Sequence, residues 1–176
     1  MSTFEDKDYS SNDGMLTYIW GPPLWHSLHT MSFNYPVSPS REQKAHYFLF
    51  FKSLENVLPC KYCRDNLKEN FKILPLNTKV LANRYSFSKW LYDLHNLVSK
   101  NLGKPISLSY EQVRDRYENF RSRCVVDIKD TVKKENGCVI PLYGKKAKCI
   151  LNIVPDDKKI SSSIIIDQST ILKKAT

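Results

Sequence analysis

Two cysteines set three apart, in Pro59-Cys60-Lys61-Tyr62-Cys63, are the residues of this chain best suited to chemistry. The spacing lets their sulfurs close a small disulfide ring on the first turn of a helix. A helix N-terminus carries partial positive charge, which favours a thiolate, and the thiolate is the form that attacks. Lys61 and Arg64 add positive charge. The same spacing is also half of a zinc site, with Cys124, Cys138, Cys149 or a histidine needed to complete four ligands. No second CxxC or CxxH supplies them. A thioredoxin-type domain also uses such a pair, but after a strand. Here an aromatic-rich helical pattern precedes it.

A redox pair on a helix needs an electron acceptor. Two clusters offer stacking planes and hydrogen-bonding groups for a planar one. The first is Trp25-His26-Ser27-Leu28-His29, where Trp25 and His29 are four apart on one helical face. The second is Trp90-Leu91-Tyr92-Asp93-Leu94-His95-Asn96-Leu97-Val98. A histidine on an apolar face is commonly a core residue with ordinary partners. Two Trp/His pairs on separate helices beside a CxxC also suit a flavin, and periodicity alone leaves both readings open.

These groups must be held by helices. Gly21-Pro22-Pro23 is expected to break the chain and start a helix whose apolar positions are Leu24, Trp25, Leu28, Met31 and Tyr35, closed by Pro36 and Pro39. Ser40 is an N-cap for a second helix from Arg41, ended by Pro59, with a wide face of Tyr47, Phe48, Phe50 and Phe51. A third helix is expected from about Cys60 to Ile73. A fourth runs from near Ser86 to about Leu102, stopped by Gly103 and Pro105. Ser109 caps a short fifth from Tyr110. The pattern predicts an all-α fold, a four-helix bundle plus a short fifth helix. Residues 1–17 read as a disordered N-terminus, 18–123 as the helical domain and 124–176 as a small β-prone or partly disordered appendage.

At 176 residues the chain fits about one domain. Its net charge of +9 is spread: 17 basic against 12 acidic residues up to Cys124, and 10 against 6 after it. No basic arm points to nucleic acid, though a diffuse positive field favours anionic ligands. No apolar run approaches a membrane span, and the polar start lacks the apolar core of a secretory signal. A cytoplasmic, non-secreted protein is expected, and the odd count of five cysteines argues against a secreted disulfide scaffold.

Taken together, Trp20-Gly21-Pro22-Pro23-Leu24-Trp25-His26-Ser27-Leu28-His29-Thr30, Tyr35-Pro36, the CxxC, Trp90 to Val98 and Leu102-Gly103-Lys104-Pro105 resemble the Erv/ALR family of FAD-linked sulfhydryl oxidases. The order and spacing agree over about residues 20–122, and most resemble members encoded by large cytoplasmic DNA viruses. The resemblance implies FAD as cofactor, with Cys63 against the isoalloxazine ring and Cys60 exchanging with substrate. It implies Trp25, His29 and Tyr35 as a flavin wall, and His95, Asn96, Val98 and Leu102 along the adenosine and ring edges. Lys104 falls on the phosphate side and Tyr117 near the adenine, while Gly21, Trp90 and Ser99 complete the cofactor set. It further implies a protein dithiol substrate or thioredoxin-like carrier, molecular oxygen as acceptor and a homodimer. Three positions depart from the family pattern. Tyr92 and Ser109 stand where many members pair cysteines, and Ser99 stands where Asn is common.

Beyond Cys124, Val125–Ile128, Val139–Tyr143, Ala147–Val154 and Ser161–Ile166 are β-prone. Gly144-Lys145-Lys146 is expected to turn a hairpin that sets Cys138 near Cys149. A Cys138–Cys149 disulfide is expected, clamping the hairpin or shuttling electrons, with Cys124 left unpaired.

Overall fold

Local capping chemistry sets where the helices begin. The computed structural model describes residues 4–125, 137–159 and 165–170, in two units, Met1–Ser107 and Leu108–Thr176. The first holds α1 (Asp6–Tyr9), α2 (Thr17–Phe33), α3 (Arg41–Val57), α4 (Lys61–Ile73) and α5 (Arg84–Asn101). At α3 the Ser40 hydroxyl accepts from the Gln43 N–H at 3.1 Å, and the Gln43 carboxamide accepts from the Ser40 N–H at 2.8 Å. Such a reciprocal box satisfies two amides that the helix leaves over. Asn83 and Ser86 form the same box at α5, at 3.0 and 3.2 Å. The helix therefore starts at Arg84, and Ser86 is its third residue. Gly103, at φ 66°, takes the left-handed conformation that stops α5.

Two expectations for the N-terminal part change. Helix α2 runs straight through Gly21-Pro22-Pro23. The prolines remove amide donors in its second turn only, their fixed φ is helical, and the Trp20 indole anchors the start by donating to the Met15 carbonyl at 3.0 Å. The segment expected to be disordered carries α1, held by the Tyr9 hydroxyl donating to the Asn56 carbonyl at 2.6 Å.

Helix α2 packs on α5, α3 on α4, and α4 on α5. The core between them gathers Leu28, Phe51, Leu67, Phe71, Leu91 and Leu94 around an interlocked ring cluster. Within it Phe51 meets Phe87 edge-on at 4.9 Å and Phe87 stacks near Trp90 at 5.8 Å. The wide aromatic face of α3 divides. Tyr47 and Phe51 turn to the core, while Phe48, Leu49 and Phe50 are 37%, 65% and 43% exposed. No helix among the described residues is long and apolar enough to cross a membrane.

The second unit opens with α6 (Tyr110–Glu118), capped by a Ser109–Gln112 box. Strands β1 (Ser122–Val125) and β2 (Gly137–Pro141) then pair antiparallel, with Arg123 opposite Ile140 and Cys124 opposite Cys138. The expected hairpin is corrected. Gly144 does take a positive φ, 64°, but residues 147–154 form no strand, and β2 finds its partner upstream in β1. The β-prone residues 126–128 and 161–164 lie outside the described residues.

Candidate functional site

Cys60 is the N-cap of α4, with extended backbone at φ −154° and ψ 119°. Its sulfur accepts from the Cys63 N–H at 3.2 Å, the bond an N-cap side chain makes to the third helical residue. The Cys63 thiol is turned towards the Cys60 sulfur as a donor, and both cysteines are free and half-buried. Burial first, and then this S–H bond, push the Cys63 thiol up to about 12, while the Arg64 charge opposes them. Cys63 thus keeps its proton, and the Cys60 sulfur, at the positive end of α4, accepts the hydrogen bond. Cys63 packs against the same core cluster as Trp25.

Trp25 of α2 stacks on His95 of α5, ring centres 4.1 Å apart and planes 3° from parallel. His29 Nε2 meets His95 Nδ1 at 2.9 Å, so one ring nitrogen carries the hydrogen and the other accepts it. Burial, then the charges of His95 and His26, lower the His29 pKa to about 3. Burial, then the Lys104 charge, lower that of His95 to about 4. Both imidazoles are therefore neutral at pH 7. Lys104 reaches this region because Gly103 reverses the chain and lets the Lys104 N–H bond to the Ser99 carbonyl at 2.9 Å. Its ammonium lies 5.3 Å from the centre of the Tyr18 ring.

The remaining cofactor candidates fall into four groups. Asn96, Val98 and Ser99 are half-buried along α5, and Leu102 just after it is exposed. Gly21 lies one turn before Trp25, and nothing stands within 4 Å of where its Cβ would be. Tyr35 and Trp90 are enclosed in the core. The Tyr35 hydroxyl donates to the Leu81 carbonyl at 3.0 Å, and the Trp90 indole to the Leu74 carbonyl at 3.1 Å. Tyr117 belongs to the second unit, where burial raises its pKa and its ring meets Phe120 edge-on at 5.9 Å.

The expected Cys138–Cys149 bridge is not formed. Cys138 is disulfide-bonded, whereas Cys149 is an exposed free thiol. The strand register is the reason, since it carries Cys138 to β1 and leaves Cys149 in an unpaired segment. Among the described residues no group of three or more His, Cys, Asp or Glu is placed to hold a metal ion.

The first unit's donor set fits a flavin nucleotide. A stacked indole and imidazole present aromatic planes, neutral imidazoles supply hydrogen bonds without charge, and a lysine beside them suits a pyrophosphate. Sequence reading missed Tyr9 and Gly14, which touch the start of α4. The lone glycine in a polar stretch was their one local signal.

Comparison with known proteins meets these same residues. The chain is 36% identical over 99 residues to the probable FAD-linked sulfhydryl oxidase R368 of Acanthamoeba polyphaga mimivirus, covering 56% of this chain and 68% of that protein. It is 37% identical over 84 residues to the FAD-linked sulfhydryl oxidase ERV1 of Arabidopsis thaliana, covering 48% of this chain but only 42% of that protein. The fold matches the yeast Erv1 core with a TM-score of 0.53 at 23% identity, over 64% of this chain and 92% of the other. The Erv1/Alr family profile matches residues 22–118, a span holding the CxxC, both Trp/His pairs and Lys104, and on that match the chain belongs to the Erv1/Alr family.

Proposed function

We propose that this protein is an FAD-linked thiol oxidase that forms disulfides in protein dithiols and passes the electrons to molecular oxygen. One observation carries the reading: a CxxC capping a helix, its second sulfur packed on the core cluster that also supports the stacked Trp25–His95 pair. The names of the relatives point the same way.

In the oxidised state Cys60 and Cys63 share a disulfide. A substrate thiolate attacks the Cys60 sulfur, forming a mixed disulfide and releasing Cys63 as the leaving thiolate. A second substrate thiolate then attacks the substrate sulfur and releases Cys60. The substrate gains a disulfide, and the protein pair holds two electrons as thiols. Helix α4 eases the exchange at Cys60, because its first amides stabilise negative sulfur there. Trp25, His29 and His95 would hold the flavin ring, and Lys104 its phosphates. FAD, when bound, supplies the two-electron sink and the reaction with oxygen that yields hydrogen peroxide.

The test is a visible absorption spectrum of the purified protein with oxygen consumption on a small dithiol. A yellow protein that consumes oxygen supports the reading. A colourless protein that consumes none removes it.

The same proposal includes a homodimer formed by α2 and α3. Phe48, Leu49, Phe50 and Val57 leave large apolar side chains exposed on α3, surface that an interface would cover.

A further inference from the structure

The segment ahead of α2 has no part in the proposed exchange, yet it is tied to the redox pair. The backbones of Gly14 and Cys60 form an antiparallel bridge, and the Met15 N–H donates to the Pro59 carbonyl at 2.9 Å. Arg64, only 7% exposed, donates from Nη2 to the Tyr9 carbonyl at 2.6 Å and from Nη1 to the Leu58 carbonyl at 2.7 Å. Its guanidinium lies 4.1 Å from the centre of the Tyr9 ring.

The contact at position 14 admits only glycine. A Cβ there would stand 2.8 Å from the Pro59 oxygen and 3.4 Å from the Cys60 Cα, both backbone atoms that cannot swing aside. A buried guanidinium is costly unless its donors are engaged. Here two of them grip carbonyls on either side of the segment that presents Cys60. Leu58 leads into Cys60 from α3, and Tyr9 begins the strap that ends at Gly14. The strap and Arg64 thus hold Cys60 from outside, while the helical bonds of α4 hold Cys63 from within.

We propose that Arg64 is a positioning residue for the redox pair: through the Leu58 and Tyr9 carbonyls it clamps residues 9–15 against Cys60 and keeps the two sulfurs in bonding register. The inference rests on Cys60 and Cys63 being the exchanging pair. It needs no cofactor, because the bond can be closed by oxidised glutathione. The two thiols lose two protons and two electrons to form the disulfide, and one oxidised glutathione is reduced to two glutathione thiols.

The experiment equilibrates the 176-residue chain in glutathione buffers, quenches by alkylation and counts the Cys60–Cys63 disulfide by mass. Arg64→Met removes the clamping donors. Gly14→Val forces the strap off Pro59 without touching the Arg64 charge. Positioning raises the effective concentration of one sulfur at the other. Each variant is expected to close the bond about tenfold less favourably, equivalent to about 30 mV for a two-electron couple. A shift of that size in both variants supports the clamp. Lower melting temperatures with an unchanged equilibrium in both would show a structural role only and overturn it. A shift in Arg64→Met alone would mean that the charge acts directly on the sulfurs, and a shift in Gly14→Val alone that Arg64 is idle; either outcome overturns the proposal. If Arg64→Met does not fold, Tyr9→Leu, which removes the ring under the guanidinium, takes its place. Both variants shifting in a protein that consumes no oxygen would remove the oxidase reading and leave the clamp standing.

Discussion

Replacing both His29 and His95 with Gln should flatten the acid sensitivity of this protein. In the folded chain their pKa values sit at about 3 and about 4, chiefly because burial penalises the charged ring, against 6.5 in the unfolded chain. The unfolded state therefore binds protons that the native state refuses once pH falls below about 6.5. By linkage, stability is lost as pH drops from there and stops falling below the folded values. Each histidine costs about 2 kcal/mol between pH 7 and pH 5, roughly 4 kcal/mol for the pair, since a one-unit shift is worth about 1.4 kcal/mol. Urea unfolding at the two pH values reads this directly. The native protein should lose about 4 kcal/mol more than the double variant. His26 and His46 remain in both proteins and largely cancel. An equal loss in the two proteins would refute the argument that the imidazole pair is held neutral, and with it the picture of an uncharged hydrogen-bonding wall for the cofactor.

Three further outcomes are expected. Cys63→Ser should abolish dithiol oxidation while FAD stays bound, because the wall of Trp25, His29 and His95 is intact; near-normal turnover would sink the assignment. Phe48→Glu with Leu49→Glu should give a monomer by light scattering where the unaltered protein is a dimer, and an unaltered protein that is monomeric at micromolar concentration would count against the interface. A maleimide should label Cys149 without reductant and Cys138 only after reduction, and peptide mapping that finds Cys138 already labelled would contradict the bonding described here.

What was legible in the sequence was local. Ser40 and Ser109 announced α3 and α6 because a cap and its third residue are read within four positions. Cys60 and Cys63 were legible for the same reason. Asn83 was overlooked because Ser86 looks like a cap when it is the other half of the box. Gly21-Pro22-Pro23 misled because prolines signal a break, yet their fixed φ is helical and α2 has already begun at Thr17. The strand pairing was misread because β2 chose a partner upstream over one just past Gly144, and composition does not rank the two. The contacts of Arg64 with Tyr9 and of Gly14 with Cys60 join residues about fifty apart, and no periodicity encodes them.

The unequal surroundings of the two sulfurs follow from helix geometry. A capping side chain folds back over the third amide of its helix, and Cys60 does so with its backbone still extended. Cys63 is that third residue. Four and eight positions further lie Leu67 and Phe71, 8% and 6% exposed, so the turn that buries them also brings Cys63 against the core. Placed in the middle of a helix, a CxxC would put both sulfurs on neighbouring parts of one face with little to tell them apart. Placed at the start, it gives one sulfur the amide of the other and leaves the second among apolar groups that resist its ionisation. Exchange with a thiol needs a sulfur at the rim of the fold, and transfer to a buried acceptor needs one that faces inward. Under the proposed function the first sulfur would serve the substrate and the second the cofactor, and reversing those roles would mean reversing the direction of α4.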